Sequence, residues 1–158
     1  MNSSASSLSS PQPRLNDPQA AAPAWHALLA LQQHVNRGTL DEGLRELVAL
    51  RASQINGCAY CLELHTRRSL ARGERPERLH LLNAWRDVAF YSSRERAALL
   101  WSETLTRLSD GEGVPDDVFT AVHAEFSESE LLELTLAVVT INGWNRLNVA
   151  FRVPPEKS

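Results

Sequence analysis

The sequence predicts an all-α fold: a single-domain bundle of six to eight helices, with a CxxC pair at the start of one of them. Three observations carry that expectation. Of 158 residues, 43% are hydrophobic and 22% charged, enough apolar surface for one core and too little charge for general disorder. From Ala20 onward the apolar residues recur at three- and four-residue spacing, the period of a helix with one buried face. Helix punctuation is frequent, including Ser92 with Glu95 and Ser127 with Glu130, the reciprocal signature of a capping box.

The elements follow in order. Residues 1–19 carry six serines in the first ten positions and three prolines. They lack a basic n-region and an apolar h-region, so they predict a flexible tail rather than a secretory leader. A domain over 20–153 and a short tail over 154–158 complete the division. Ala24 to Val35 reads as the first helix, ended near Gly38. Asp41 to Gln54 is the second, with Leu40, Leu44, Leu47 and Val48 at helical spacing. Asn56-Gly57 breaks the chain. The third helix runs from about Cys58 to Arg72 and stops at Gly73, a favourable C-terminal residue. Pro76 suits the first turn of a fourth, carrying Leu79, Leu82 and Trp85 to about Ala89. Ser92 opens the fifth, through Ala98, Leu99, Leu105 and Leu108. A loop over 111–115 precedes a short sixth helix, Asp116 to Phe126. The last carries Leu131 to at least Leu147, and absorbs the β-branched run Val138 to Ile141 because no partner strand is evident.

Sixteen basic against nineteen acidic residues give a net charge of −3. Phosphate neutralisation needs clustered positive charge, so a nucleic-acid partner is not expected. No apolar run approaches the length of a membrane span. With no export signal the expected compartment is the cytoplasm, where a CxxC pair is catalytic or metal-binding more often than a structural staple.

That pair, Cys58 and Cys61, is the centre of the functional reading. If Cys58 opens the third helix, then Cys58, Cys61, Leu62 and His65 share one face. The helix N-terminus favours thiolate, and His65 lies one turn from Cys61, placed to exchange a proton with its sulfur. Cβ atoms three apart on a helix are about 5–6 Å apart, whereas a relaxed disulfide prefers about 3.8 Å. A bridge here is therefore expected to be strained and readily reduced. Folding the second and third helices into a hairpin at Asn56-Gly57 puts Glu46 level with His65. Carboxylate, imidazole and thiol then form a proton relay.

Other readings stand beside it. Cys58, Cys61 and His65 supply three zinc ligands, but no second CxxC or HxxxH offers a fourth. A non-catalytic redox-sensing or zinc-stabilised oligomeric module is one alternative. A cofactor-free decarboxylase or isomerase using Glu46 and His65 as acid and base is another, and it leaves the cysteines unexplained. His26, His34, His80 and His123 lack partners at useful spacing and read as structural. Trp25, Trp85, Trp101 and Trp144 read as core and interface anchors.

The stretch ELVALRASQINGCAYCLELH, Glu46 to His65, resembles the core motif of the AhpD-like alkylhydroperoxidases of the carboxymuconolactone decarboxylase superfamily. AWRD (Ala84 to Asp87), RERAALLW (Arg94 to Trp101) and INGWNRL (Ile141 to Leu147) resemble members of the group as well, so the likeness spans about residues 24–153. The resemblance implies an all-helical fold whose CxxC pair reduces hydroperoxides without a cofactor. Cys61 would attack the peroxide and become a sulfenic acid, and Cys58 would resolve it to a disulfide. Glu46 and His65 match the family's relay positions. A small hydroperoxide substrate, a lipoyl- or thioredoxin-type dithiol donor, and a trimeric or hexameric homo-oligomer are implied with it. Tyr60 stands where the best-known branch has a histidine, so this chain resembles the shorter members more closely.

Overall fold

The computed structural model describes residues 12–17, 21–111 and 113–156. Among them are seven α-helices and two short 3-10 segments, with no strand. The helices are α1 (Ala22–Asn36), α2 (Glu42–Asn56), α3 (Ala59–Ala71), α4 (Pro76–His80), α5 (Ser93–Thr106), α6 (Asp116–His123) and α7 (Glu128–Phe151). Leu82–Asp87 and Leu108–Asp110 are the 3-10 segments. The expected flexible tail falls largely on residues 1–11 and 18–19, outside the described residues. Of those described, Arg14 is tied to the end of α7, donating its backbone N–H to Phe151 O at 3.0 Å and its Nη1 to Ala150 O at 2.9 Å.

α2 is the axis of the fold. Asp41 caps it by accepting from Leu44 N–H, and every residue from Glu46 to Ser53 is buried. A helix buried on all sides must be covered all round, and α3, α5 and α7 do so. Leu44 and Val48 join Ala98, Trp101, Leu134 and Val138 in one part of the core. Leu47 and Leu50 meet Leu82, Trp85 and Leu99 in a second. Ala49, Ala52 and Ile141 enclose Cys58 and Cys61 in a third. α7 is fixed at its start by the Ser127–Glu130 capping box, and α5 by that of Ser92 and Glu95. The β-branched run of α7 is helical because Val138, Thr140 and Ile141 are buried against other helices, and tertiary packing overrides a weak local preference. α1 lies over α7, with Trp25 edge-on to Trp144 at 5.0 Å between centroids.

Three boundaries differ from the sequence expectation. The fourth helix does not run to Ala89. It stops at His80 and continues as a 3-10 segment with a kink at Ala84 (φ −112°, ψ 26°). Leu79, Leu82 and Trp85 are spaced by three, the 3-10 period, which keeps them on one side, and all three are buried. Arg96 satisfies the carbonyls this leaves, donating to Trp85 O, Val88 O and Arg86 O. The fifth helix ends at Thr106, with Leu108 in a 3-10 turn. The sixth ends at His123 rather than Phe126, because Ser127 must be extended to cap α7 (φ −64°, ψ 164°).

Candidate active site

The hairpin between α2 and α3 builds the site. Gly57 closes α2 in the left-handed conformation at φ 64°, and its N–H and that of Cys58 both reach Ser53 O. The chain then turns directly into α3. Cys58 is the N-cap, with extended backbone (φ −86°, ψ 96°), and its sulfur accepts the Cys61 N–H at 3.3 Å. It thus fills the position usually held by serine, threonine or aspartate.

Cys58 and Cys61 are joined as a disulfide with Cα atoms 5.4 Å apart, inside the usual span for such a bridge. Cys58 lies just outside the helix as its N-cap, and Cys61 lies within the first turn. Both sulfurs are shielded, at 1% and 2% residue exposure.

Glu46 and His65 meet across the hairpin. His65 Nδ1 lies 2.6 Å from Glu46 Oε2, and both side chains are about nine-tenths buried. This short contact in a shielded setting orients the imidazole ring against the carboxylate. Arg68, one turn further along α3, brings Nη1 to 4.0 Å from Glu46 Oε1.

Two cavities meet at His65. One, about 360 Å³, is walled by Trp25, Leu29, Leu64, Ile141, Trp144 and Val153, and exposes Cys61, Tyr60 and Asn148 to the same space. The other, about 480 Å³, is more polar and reaches Glu46, Arg45 and Glu42. Of the two cysteines, Cys61 lines a cavity together with His65, and Cys58 lines neither of these two.

Several residues at the site were not singled out from sequence. Asn148 donates Nδ2 to Cys61 Sγ at 3.3 Å and is itself buried. It continues a line of buried asparagines on α7. Asn145 donates to Ser53 Oγ at 3.0 Å, and Asn56 bridges to Asn142 and Asn145 at 3.0 and 2.9 Å. The recurrence of asparagine at 142, 145 and 148, three apart on one helix, is a signal that could have revealed this polar face. Trp25 and Trp144, read as anchors, form a wall of the cavity beside Cys61. Among the described residues no group of three or more His, Cys, Asp or Glu side chains is placed to hold a metal ion.

The carboxymuconolactone decarboxylase family pattern matches residues 21–104, and this chain belongs to that family. It is similar to a protein of unknown function from Agrobacterium tumefaciens whose suggested identity is the antioxidant defence protein AhpD. That structure superposes with a TM-score of 0.88 at 35% identity, covering 93% of this chain and all of the other. It is also similar to the uncharacterised protein YdfG of Bacillus subtilis strain 168, 35% identical over 123 residues, 78% of this chain and 83% of the relative. The debrominase Bmp8 shares the fold at 18% identity and a TM-score of 0.77, over 88% of this chain and 74% of that one. The all-helical AhpD-like architecture and its CxxC pair are thus established.

Proposed function

We propose that the protein is a thiol-dependent hydroperoxide reductase that cycles through a Cys58–Cys61 disulfide. The observation that carries this reading is the placement of Cys61. It is half of a dithiol pair and opens onto a cavity with His65, whose other ring nitrogen is held 2.6 Å from a buried carboxylate.

In the reduced protein, His65 Nε2 takes the Cys61 proton and Glu46 stabilises the imidazolium that results. The Cys61 thiolate attacks the terminal peroxide oxygen. An S–O bond forms, the O–O bond breaks, and the electron pair leaves on the alkoxide, which recovers a proton from His65 and departs as the alcohol. Cys61 is now a sulfenic acid. The Cys58 thiolate attacks its sulfur, the S–S bond forms, and hydroxide leaves as water after protonation. A dithiol donor, lipoyl- or thioredoxin-type, exchanges with the disulfide, returns both thiols and leaves oxidised. One hydroperoxide and one dithiol thereby give an alcohol, a water and a disulfide. Such recycling is in keeping with a reducing cytoplasmic setting.

The test is mass spectrometry of the reduced protein after one equivalent of cumene hydroperoxide. The expected product is the Cys58–Cys61 disulfide in the native chain, and no peroxide consumption in Cys61→Ser. Undiminished consumption in that variant overturns the proposal.

A further inference from the structure

Arg68 ends a stripe that begins at the reactive sulfur. Cys61, His65 and Arg68 fall on one face of α3, and seven residues at helical rise put Arg68 about 10 Å from Cys61 along the axis. Arg68 lines both cavities. The side chain is half exposed, and its ion pair is the 4.0 Å approach to Glu46, a carboxylate already held by His65.

The neighbouring arginines are differently engaged. Arg45 donates to the carbonyls of Leu40 and Asn36. Arg67 pairs with Glu63 and Glu156, and Arg72 with Glu42. Arg68 is the one of these four whose ion pair is not also a hydrogen bond.

A chain of amides gives the same end of the cavity a direction. Trp144 Nε1 donates to Gln32 Oε1 at 3.1 Å, and Gln32 Nε2 donates to Asn36 Oδ1 at 2.9 Å. Each of these amide oxygens accepts one hydrogen bond, and the chain terminates in the Asn36 amide NH₂, a donor. Gln32, Asn36 and Arg68 line both cavities together. The space lined with Cys61 and His65 therefore has apolar walls of Trp25, Ile141 and Trp144, and beyond them the N–H donors of Gln32 and Asn36 with the Arg68 guanidinium, which stands 4.0 Å from the Glu46 carboxylate and half exposed.

We propose that the substrate is an anionic amphiphile: an apolar organic hydroperoxide bearing a carboxylate about two helical turns from the peroxide, with Arg68 as the carboxylate-binding residue. Hydrogen peroxide and neutral hydroperoxides fit the chemistry of Cys61 but leave the donor end unmatched. This inference rests on the hydroperoxide-reductase reading and adds the substrate class to it.

Two measurements on the full chain separate the inference from that reading. The first compares kcat/KM for linoleic acid hydroperoxide with that for its methyl ester. Acid is expected over ester by about tenfold, the worth of one charge-assisted contact. Arg68→Gln should bring the ratio near one, and Arg68→Lys should retain part of the preference. The ratio cancels any general loss of activity in the variant. The second is calorimetric titration with octanoate and with octanol, which needs no turnover. Octanoate should bind the native chain more tightly than octanol, and Arg68→Gln should erase that difference. Turnover of both peroxides at equal kcat/KM, with octanoate no better than octanol, overturns the inference and leaves the reductase standing. Octanoate binding that depends on Arg68, with no peroxide consumed, overturns the reductase and the peroxide as substrate, while the anion subsite remains.

Discussion

Besides its bond to Cys58, the Cys61 sulfur accepts a hydrogen bond from a distant helix. Asn148 aims Nδ2 at it from 3.3 Å, and an N–H donor favours thiolate over thiol. A hydrogen bond to a charged group is worth about 1.5–3 kcal/mol, so Asn148→Leu is expected to raise the midpoint of Cys61 alkylation by iodoacetamide by about one pH unit or more. The measurement is the alkylation rate against pH in a Cys58→Ser background, where no disulfide competes. An unchanged or lowered midpoint would show that the carboxamide does not serve the thiolate. The four residues singled out from sequence and Asn148 differ in legibility for a physical reason. Cys58, Cys61 and His65 are local to one helix start, and Glu46 is reachable by counting back through a tight turn. Asn148 lies 87 residues beyond Cys61, and its contact depends on how α7 packs, which no local period encodes. Trp144 was visible as an aromatic, but its place on the cavity wall follows from α1 crossing above it.

The α2–α3 hairpin is the element on which the site depends, and Gly57 is its hinge. At φ 64°, with no heavy atom within 4 Å of where a Cβ would sit, only the backbone conformation resists substitution there. Gly57→Ala is therefore expected to cost about 1–2 kcal/mol, the penalty for an L-residue in the left-handed region, and to lower Tm by roughly 4 °C. Thermal unfolding followed by circular dichroism measures it, and a variant as stable as the native chain would contradict the account. Asn56-Gly57 was legible because this punctuation is chemical. The end of α4 was not, although its evidence lay in plain view. Leu79, Leu82 and Trp85 keep a strict spacing of three, which a short helix and a 3-10 segment both accommodate. What selects between them is Arg96, reaching three carbonyls from another helix.

For the molecule as a whole, the all-α class was readable because one core is assembled from amphipathic helices with explicit caps. The charged cluster inside it was not readable. Glu103 is buried on α5 and receives Arg51 Nε at 2.7 Å, Trp85 Nε1 at 2.9 Å and Arg86 Nη1 at 2.6 Å. These donors come from α2 and the 3-10 segment, so one carboxylate fastens three parts of the fold. Burial pushes its pKa up, but the hydrogen bonds from Trp85, Arg86 and Arg51, with the charge of Arg51, outweigh it and hold the group below its ordinary value of 4.5. A carboxylate lowered in the folded state stabilises that state fully above the ordinary value, and the contribution disappears as pH falls through the lowered one. The native chain should therefore lose stability below about pH 4.5 with a slope to which Glu103 contributes. Glu103→Gln leaves buried Arg51 without its counter-charge, so at neutral pH it should cost about 3 kcal/mol. Its stability should also fall less steeply in acid, since the altered group no longer titrates, and the two curves should converge as pH drops. Urea unfolding of both proteins across this range tests the point, and parallel curves would mean that the cluster does not couple Glu103 to folding.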